Sequence, residues 1–366
     1  MARPGTHPLR RGWSTGACAA ATARAAFAGL LTGDVPDPVT IRLPGGDRPS
    51  FPLALAERRN GAMRAAILKD AGDDPDVTHG ALIVAELTWG EAGSGIRFRA
   101  GEGVGTVTRP GLQLAVGEPA INPAPRAMIR EALAELAAAH GVPAGEGGPD
   151  VIVTIAIPGG EALAARTMNA RLGIVGGLSV LGTTGIVVPY SCASWIHAIH
   201  RGIDVARAAG LDHIAAATGA TSERPVQRLY SLPDHALIDM GDFAGGTLKY
   251  LRRRPIARLT LAGGFAKFAK LAQGHLDLHS SRSRVDATAL ARLLASVGGG
   301  DAAPAGLGDG SAGQILAAAG AHAPALAAAV ARQARAVALA TLCAETEVEV
   351  AIVDRDGGFL ARVGSW

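Results

Sequence analysis

From residue 213 to residue 267 short apolar runs alternate with helix-like segments, and this alternation limits the possible folds more than any other feature of the chain. The runs 213–217, 236–240 and 257–262 have strand character. The segments 225–230 and 244–253 read as helices, and another helix begins at 268. Strands separated by helices are joined by crossovers, so they pair in parallel and build an α/β sheet. Each run ends in a turn that sets glycine beside a hydroxyl, an acid or a lysine: Thr218-Gly219, Gly241-Asp242, and Gly263-Gly264 followed by Lys267. Open parallel sheets bind ligands outside the carboxyl ends of their strands, so these turns converge on one candidate crevice. No GxGxxG follows any of the strands, which argues against a nicotinamide-dependent oxidoreductase, and no lysine follows Gly185, which argues against a P-loop.

Upstream of this half lies the run 172–191, LGIVGGLSVLGTTGIVVPYS, whose paired glycines sit between two apolar stretches. Gly182-Thr183-Thr184-Gly185 is a tight turn with N–H groups free to meet a ligand, and Ser191 suits the N-cap of a helix over 193–209. Before it, strands dominate. A helix over 17–31 precedes a hairpin of 39–43 and 50–55, a strand at 61–68, a second hairpin of 81–88 and 95–100, a helix over 125–140 and a buried strand at 151–157. A chain of 366 residues exceeds what one core usually serves. The expected architecture is therefore α/β and α+β in two domains, an N-terminal α+β domain over 1–172 and a C-terminal α/β domain over 173–366 with a mainly parallel sheet.

Composition narrows the partners. The net charge is +3 and aromatic residues make up 4%, so stacking platforms are scarce and nucleic acid is not expected. The dense basic run Arg252-Arg253-Arg254 closes a helix, where cations meet the negative end of the dipole. Cys18, Cys192 and Cys343 are odd in number and far apart, which fits neither a disulfide framework nor a CxxC pair and suits a reducing, cytoplasmic compartment. Arg10-Arg11 before an alanine-rich run has the look of a twin-arginine export signal, but Arg24 interrupts that run and a folded helix is expected. No apolar stretch reads as long and charge-free enough to span a bilayer. Homo-oligomerisation is left open.

The most polar loop, 69–80, holds Lys69, Asp70, Asp73, Asp74, Asp76, Thr78 and His79. Its carboxylates could serve calcium, but the spacing is not that of an EF-hand and no metal site is expected. His79, with Asp70 and Asp73, is instead the candidate for proton handling. In the loop 101–111 alternate glycines permit close approach to a ligand, with Arg109 available for a carboxylate.

Together these segments resemble a known family. Arg11 to Ala20 (RGWSTGACAA), the loop 69–80, Gly103 to Thr108 (GVGTVT), Ala120-Ile121-Asn122-Pro123, Asn169 with Arg171-Leu172-Gly173-Ile174, and 181–187 resemble the cobalt-precorrin-5B C1-methyltransferase family (CbiD), in the same order over roughly residues 9 to 290. The resemblance implies an S-adenosylmethionine-dependent enzyme that methylates C1 of cobalt-precorrin-5B to give cobalt-precorrin-6A, with the cobalt carried by the substrate. It also implies a donor lying across Gly182, Thr183, Thr184, Gly185, Thr218, Gly219, Asp242 and Gly263. The tetrapyrrole, a small molecule with several carboxylates, would meet Lys69, Arg109, Asn122, Arg126, Asn169, Arg171, Lys267, His279 and Ser280. Where many members carry a histidine this chain has Gly264, so no role here depends on that histidine. A non-catalytic tetrapyrrole-binding protein and an oxidoreductase of the same pathway are the alternatives.

Overall fold

The computed structural model describes residues 8–143, 147–299, 311–343, 345–364 and 366. The chain divides into two compact units, Met1–Ser191 and Cys192–Trp366.

In the first unit, β1 (Gly12–Trp13) leads into α1 (Thr15–Thr32), followed by β2 (Val39–Thr40), β3 (Ser50–Phe51), β4 (Leu55–Arg59), β5 (Ala62–Leu68), β6 (Leu82–Trp89), β7 (Ile96–Ala100) and β8 (Thr106–Val107). Then come α2 (Pro123–Ala139), β9 (Val151–Ala156), α3 (Gly160–Ala164), β10 (Ile174–Val175) and β11 (Ile186–Val187). The side chain of Ser14 caps α1 by accepting from Ala17 N at 3.1 Å. Gly33, in the left-handed region at φ 85°, closes the helix with its N–H bonded to Gly29 O. Alanine and glycine fill α1 because it is buried on nearly every side: a Cβ on Gly16 would lie 2.8 Å from Pro125 Cγ of α2, and one on Gly29 2.8 Å from Met63 Cε of β5.

The sheet beneath runs β4-β5-β6-β9-β7 among the described residues. Here one expectation fails. The runs read as a second hairpin, β6 and β7, do not pair; β9 lies between them, antiparallel to β6 and parallel to β7. Val151, Val153 and Ile155 are fully buried, so the more apolar strand takes the interior position and β7, with exposed Arg97 and Arg99, takes the edge.

The second unit holds α4 (Cys192–Ala208), β12 (His213–Ala217), α5 (Ala220–Tyr230), β13 (Leu237–Asp239), α6 (Ala244–Arg253), β14 (Arg258–Gly264), α7 (Phe265–Ala272), α8 (Ala287–Leu294), α9 (Ala312–Ala318), α10 (Ala323–Leu342), β15 (Glu347–Val353) and β16 (Phe359–Val363). Its sheet runs β13-β12-β14-β15-β16. The first four strands pair in parallel and β16 is antiparallel to β15. Two helices start earlier than their sequence suggested. α5 begins at Ala220, ahead of Pro225, and α7 at Phe265, so both follow directly on the glycine turns that end their strands.

Toward the amino ends of these strands a buried network closes the sheet. Glu349, 1% exposed, accepts from Tyr230 OH (2.9 Å), Thr260 Oγ1 (3.1 Å) and Arg362 Nε (2.9 Å), and Thr260 in turn meets His213 Nε2 at 2.9 Å. Contrary to expectation, one helix, Gly320–Leu342, has the length and composition of a membrane span. Leu326, Val330, Ala334, Ala338 and Leu342 nevertheless belong to the core of this unit, and a buried core helix meets the same measure.

The two units part at Ser191, later than the boundary expected at 172. The reason is pairing: β10 is antiparallel to β8 and β11 to β1, so the glycine-rich run belongs to the first unit.

Candidate functional site

The carboxyl ends of β12, β13 and β14 bring five of the candidates together, Thr218, Gly219, Asp242, Gly263 and Lys267. Their parallel register sets Ala217 beside both Asp239 and Ala262, so the turns after the three strands are neighbours. Thr218 N donates to Ala262 O at 2.9 Å. A Cβ on Gly263 would lie 2.7 Å from Thr218 Cγ2 and Oγ1, which makes glycine the residue that admits Thr218. From the first turn of α7 Lys267 reaches back, its Nζ 3.1 Å from Asp242 Oδ1 and 3.4 Å from Thr218 O. The contact with Asp242 is ionic without hydrogen-bond alignment. Asp242 Oδ1 is buried and accepts no hydrogen bond among the described residues, so the Lys267 charge is its partner there and its lone pairs keep capacity for a donor.

Two glycines leave this end of the sheet open, since a Cβ on Gly219 or on Gly264 would meet nothing within 4 Å. A histidine at Gly264, which has an ordinary φ of −72°, would therefore find room. Asp242 O accepts from Leu278 N at 2.9 Å, and this bond brings in the segment with exposed His279 and Ser280. His279 Nδ1 is engaged by Ser281 Oγ at 2.7 Å. One neighbour was passed over in the sequence, where it reads as part of a periodic helix. Trp195 of α4 donates from Nε1 to Asp239 O, at the end of β13, across 3.0 Å.

The first-unit candidates separate into two groups. In the polar loop most are held by partners of their own. Lys69, 2% exposed, donates to Asp76 and to Thr78 Oγ1 (2.6 Å). Burial pushes the Asp76 carboxyl up, but the Lys69 charge and the hydrogen bonds from Lys69 and Thr78 outweigh it and hold the group below its ordinary range. Asp73 Oδ2 accepts from Arg10 N at 2.6 Å and Asp74 Oδ1 from Tyr190 N at 2.8 Å. Asp70 pairs with the Arg10 guanidinium and accepts from Gly72 N at 2.9 Å; these bonds hold its carboxyl at about 2. A carboxylate as acidic as Asp70 is no proton acceptor near neutral pH, and the bonds of Asp70 and Asp73 to Arg10 suit anchoring of the loop on the N-terminal segment. His79 differs. Its Nδ1 accepts from Ala71 N at 3.1 Å, which leaves Nε2 to carry the proton of the neutral ring, and its side chain is 53% exposed.

Asn169 and Arg126 likewise hold backbone. Asn169 Nδ2 donates to Gly177 O (3.1 Å) and its Oδ1 accepts from Ser179 Oγ (3.0 Å). Arg126 donates to Ile121 O and Pro119 O, pairs with Glu118 at 2.7 Å and lies over the Phe98 ring. Asn122 is the N-cap of α2, without a side-chain bond to that helix. Arg109 is the exception: its chain lies along Gly173, where a Cβ would be 2.6 Å from Arg109 Cγ, and its NH1 is buried without a hydrogen-bond partner among the described residues. Arg171 lies close by, two residues before Gly173 in the chain. The alternate glycines ahead of Arg109 serve the chain itself, because a Cβ on Gly103 would lie 2.0 Å from Ile157 O and one on Gly105 2.9 Å from Gly177 O.

Gly182-Thr183-Thr184-Gly185 has an occupant already, the N-terminus of α1. Thr15 Oγ1 donates to Leu181 O and accepts from Leu181 N, each at 3.1 Å, Gly16 N donates to Leu181 O at 2.9 Å, and Ser14 N donates to Gly185 O at 2.9 Å. Gly182 sits at φ +124°, and a Cβ there would overlap Ser14 Cβ and Oγ. Thr184 turns its Oγ1 back to Ile186 N at 3.2 Å.

Among known proteins, the CbiD family profile matches residues 2–189. A relative from Methylorubrum extorquens named cobalt-precorrin-5B C(1)-methyltransferase is 57% identical over 360 residues, 97% of this chain and 98% of its own. One of the same name from Bradyrhizobium sp. is 65% identical over 297 residues, 81% of this chain and 78% of its own. A solved structure described as cobalamin biosynthesis protein (cbiD) from Archaeoglobus fulgidus is 27% identical, with a TM-score of 0.39, and the match covers 70% of this chain and 77% of that one.

Proposed function

The chain belongs to the CbiD family, and from that membership we propose that it methylates C1 of cobalt-precorrin-5B with S-adenosylmethionine, giving cobalt-precorrin-6A in anaerobic cobalamin synthesis. The observation that carries this reading is identity of 57% sustained over 97% of the chain with a relative of that name. A cytoplasmic setting suits the three free cysteines, of which buried Cys18 has its thiol pushed up to about 12 by burial.

The donor suits the carboxyl end of the second unit's sheet. Asp242 Oδ1, buried and lacking a hydrogen bond, fits the ribose hydroxyls, and Lys267 fits the donor's carboxylate. Lys267 therefore moves from the substrate's partners to the donor's, and so does the support for the donor site as a whole, since Gly182 to Gly185 are engaged by α1. Thr218 and the open glycines 219 and 264 offer backbone and space for the remainder. When bound, S-adenosylmethionine supplies a methyl group on a sulfonium: the C1–CH3 bond forms as the S–CH3 bond breaks, and S-adenosylhomocysteine leaves. The sulfonium needs little acid–base help to leave, so these residues act chiefly by positioning.

For the substrate's carboxylates the support lies in the first unit with Arg109, whose buried NH1 has no hydrogen-bond acceptor among the described residues, and Arg171, close to Gly173 in the chain, is a second candidate. His79 can offer Nε2–H to a further carboxylate. Lys69, Arg126 and Asn169 act one step back, holding the loops that carry these groups.

Incubation with cobalt-precorrin-5B and methyl-labelled donor should place the label on C1 of the product, and an unlabelled product would end the assignment. Asp242→Asn should weaken S-adenosylhomocysteine about ten-fold or more, as expected for loss of a buried hydrogen bond to a charged group.

A further inference from the structure

We propose that Trp195 is the platform on which the adenine ring of the methyl donor stacks. The proposal rests on the donor site argued above and adds the residue that would recognise its base. In a folded chain a tryptophan is usually well covered, yet Trp195, near the start of α4, is 47% exposed. Its ring is not left loose. The Nε1–H bond to Asp239 O, at 3.0 Å, pins the indole to the last residue of β13. The next turn is shaped to receive it: Gly241, at φ +52°, takes a left-handed conformation that favours glycine, and a Cβ there would lie 3.3 Å from Cε2, Cζ2 and Nε1 of the indole. Phe243 supports the ring, with centroids 6.4 Å apart.

Immediately after Gly241 comes Asp242, whose buried Oδ1 is ion-paired with Lys267 Nζ at 3.1 Å and accepts no hydrogen bond among the described residues. An aromatic surface fixed in orientation and open to solvent therefore stands one residue from a carboxylate with hydrogen-bonding capacity to spare. A nucleoside presents that same pair of features, a flat base joined to a sugar with vicinal hydroxyls. Indole and purine stack without regard to hydrogen-bond pattern, so Trp195 would supply affinity for the base while Asp242 reads the ribose.

The test measures S-adenosylhomocysteine binding to the full chain by calorimetry and by tryptophan emission. Trp195→Ala should weaken binding about ten-fold, the worth of one base–aromatic stack of ~1.4 kcal/mol. Trp195→Phe should stay within about three-fold by calorimetry, and its emission should lose the quenching that the ligand causes in the parent. Should Trp195→Phe misfold, adenosine shielding an exposed tryptophan of the parent from collisional quenching by iodide still reads the contact, and unchanged iodide quenching overturns it. If Asp242→Asn weakens the ligand while neither Trp195 variant changes its affinity or quenching, the platform is overturned and the donor site stands. Should binding be indifferent to Asp242→Asn and to both Trp195 variants, the donor site itself is misplaced and the platform falls with it.

Discussion

Asp70 shows how a residue with catalytic chemistry can be committed to structure. Its folded pKa, about 2, lies below the ordinary 3.8. A depressed carboxylate stabilises the folded state above its unfolded pKa, and this contribution is lost as pH falls through the folded value. Because the Arg10 and Asp70 side chains are 58% and 44% exposed, solvent screens the pair and its worth is discounted to about 0.5–1 kcal/mol. Asp70→Asn should therefore lower stability by that amount at neutral pH, and urea midpoints of variant and parent should converge between pH 4 and pH 2. A gap that persisted at pH 2 would place the stabilisation elsewhere. Such roles are hard to read from sequence. Lys69, Arg126 and Asn169 have the chemistry of ligand contacts, but what a polar side chain does depends on which partner folding brings within 3 Å. The partner of Asp70 is Arg10, sixty residues away. Trp195 escaped notice for the complementary reason: helical spacing marks an apolar residue as core, and only the seating of α4 leaves its ring exposed.

At the scale of elements, α1 and the run 181–187 form one device. The run was legible as a turn, and Gly182 and Gly185 do take positive φ values there. What the sequence could not identify was the occupant: a ligand was expected to use the turn's N–H groups, whereas the N-terminus of α1 donates to its carbonyls, Leu181 O and Gly185 O. Gly182→Ala is expected to destabilise the protein by about 1–3 kcal/mol, combining damage to the Ser14 cap with strain at a positive φ. Its folded form should still bind S-adenosylhomocysteine with the parent's affinity if the donor sits, as proposed, on the other unit's sheet; a specific loss of binding with unchanged stability would return the turn to the donor site. In contrast, the convergence of Thr218, Asp242, Gly263 and Lys267 was readable in advance. Parallel pairing follows from strand–helix alternation, and parallel pairing alone makes the strand ends neighbours. The misread hairpin of β6 and β7 shows the limit of the same logic: adjacency in sequence suggests pairing, but β9, arriving later, outcompetes it by burying more apolar surface.

For the whole molecule, each unit carries its own core. One cluster extends from Ala17 to Val180 with a smaller one of Val107, Leu114, Ala120 and Ile174, and two more lie between Ile199 and Ile352. A chain of residues 192–366 made alone should accordingly fold, giving a cooperative thermal transition that S-adenosylhomocysteine raises; a fragment without such a transition would show that the second unit depends on the first. The parallel character of that unit was legible, whereas the dividing point was not, because β10 and β11 are too short to announce their pairing with β8 and β1. That closure also bears on synthesis at the ribosome. The bonds between Thr15 and Leu181 join residues 166 apart, so the first helix to emerge waits for almost the last residues of its unit before its end is sealed. Until then an alanine-rich segment with a buried destiny is exposed on the nascent chain. Translation slowed just after β11 would lengthen the time available for sealing, whereas release before it would strand the helix as a target for chaperones and proteases.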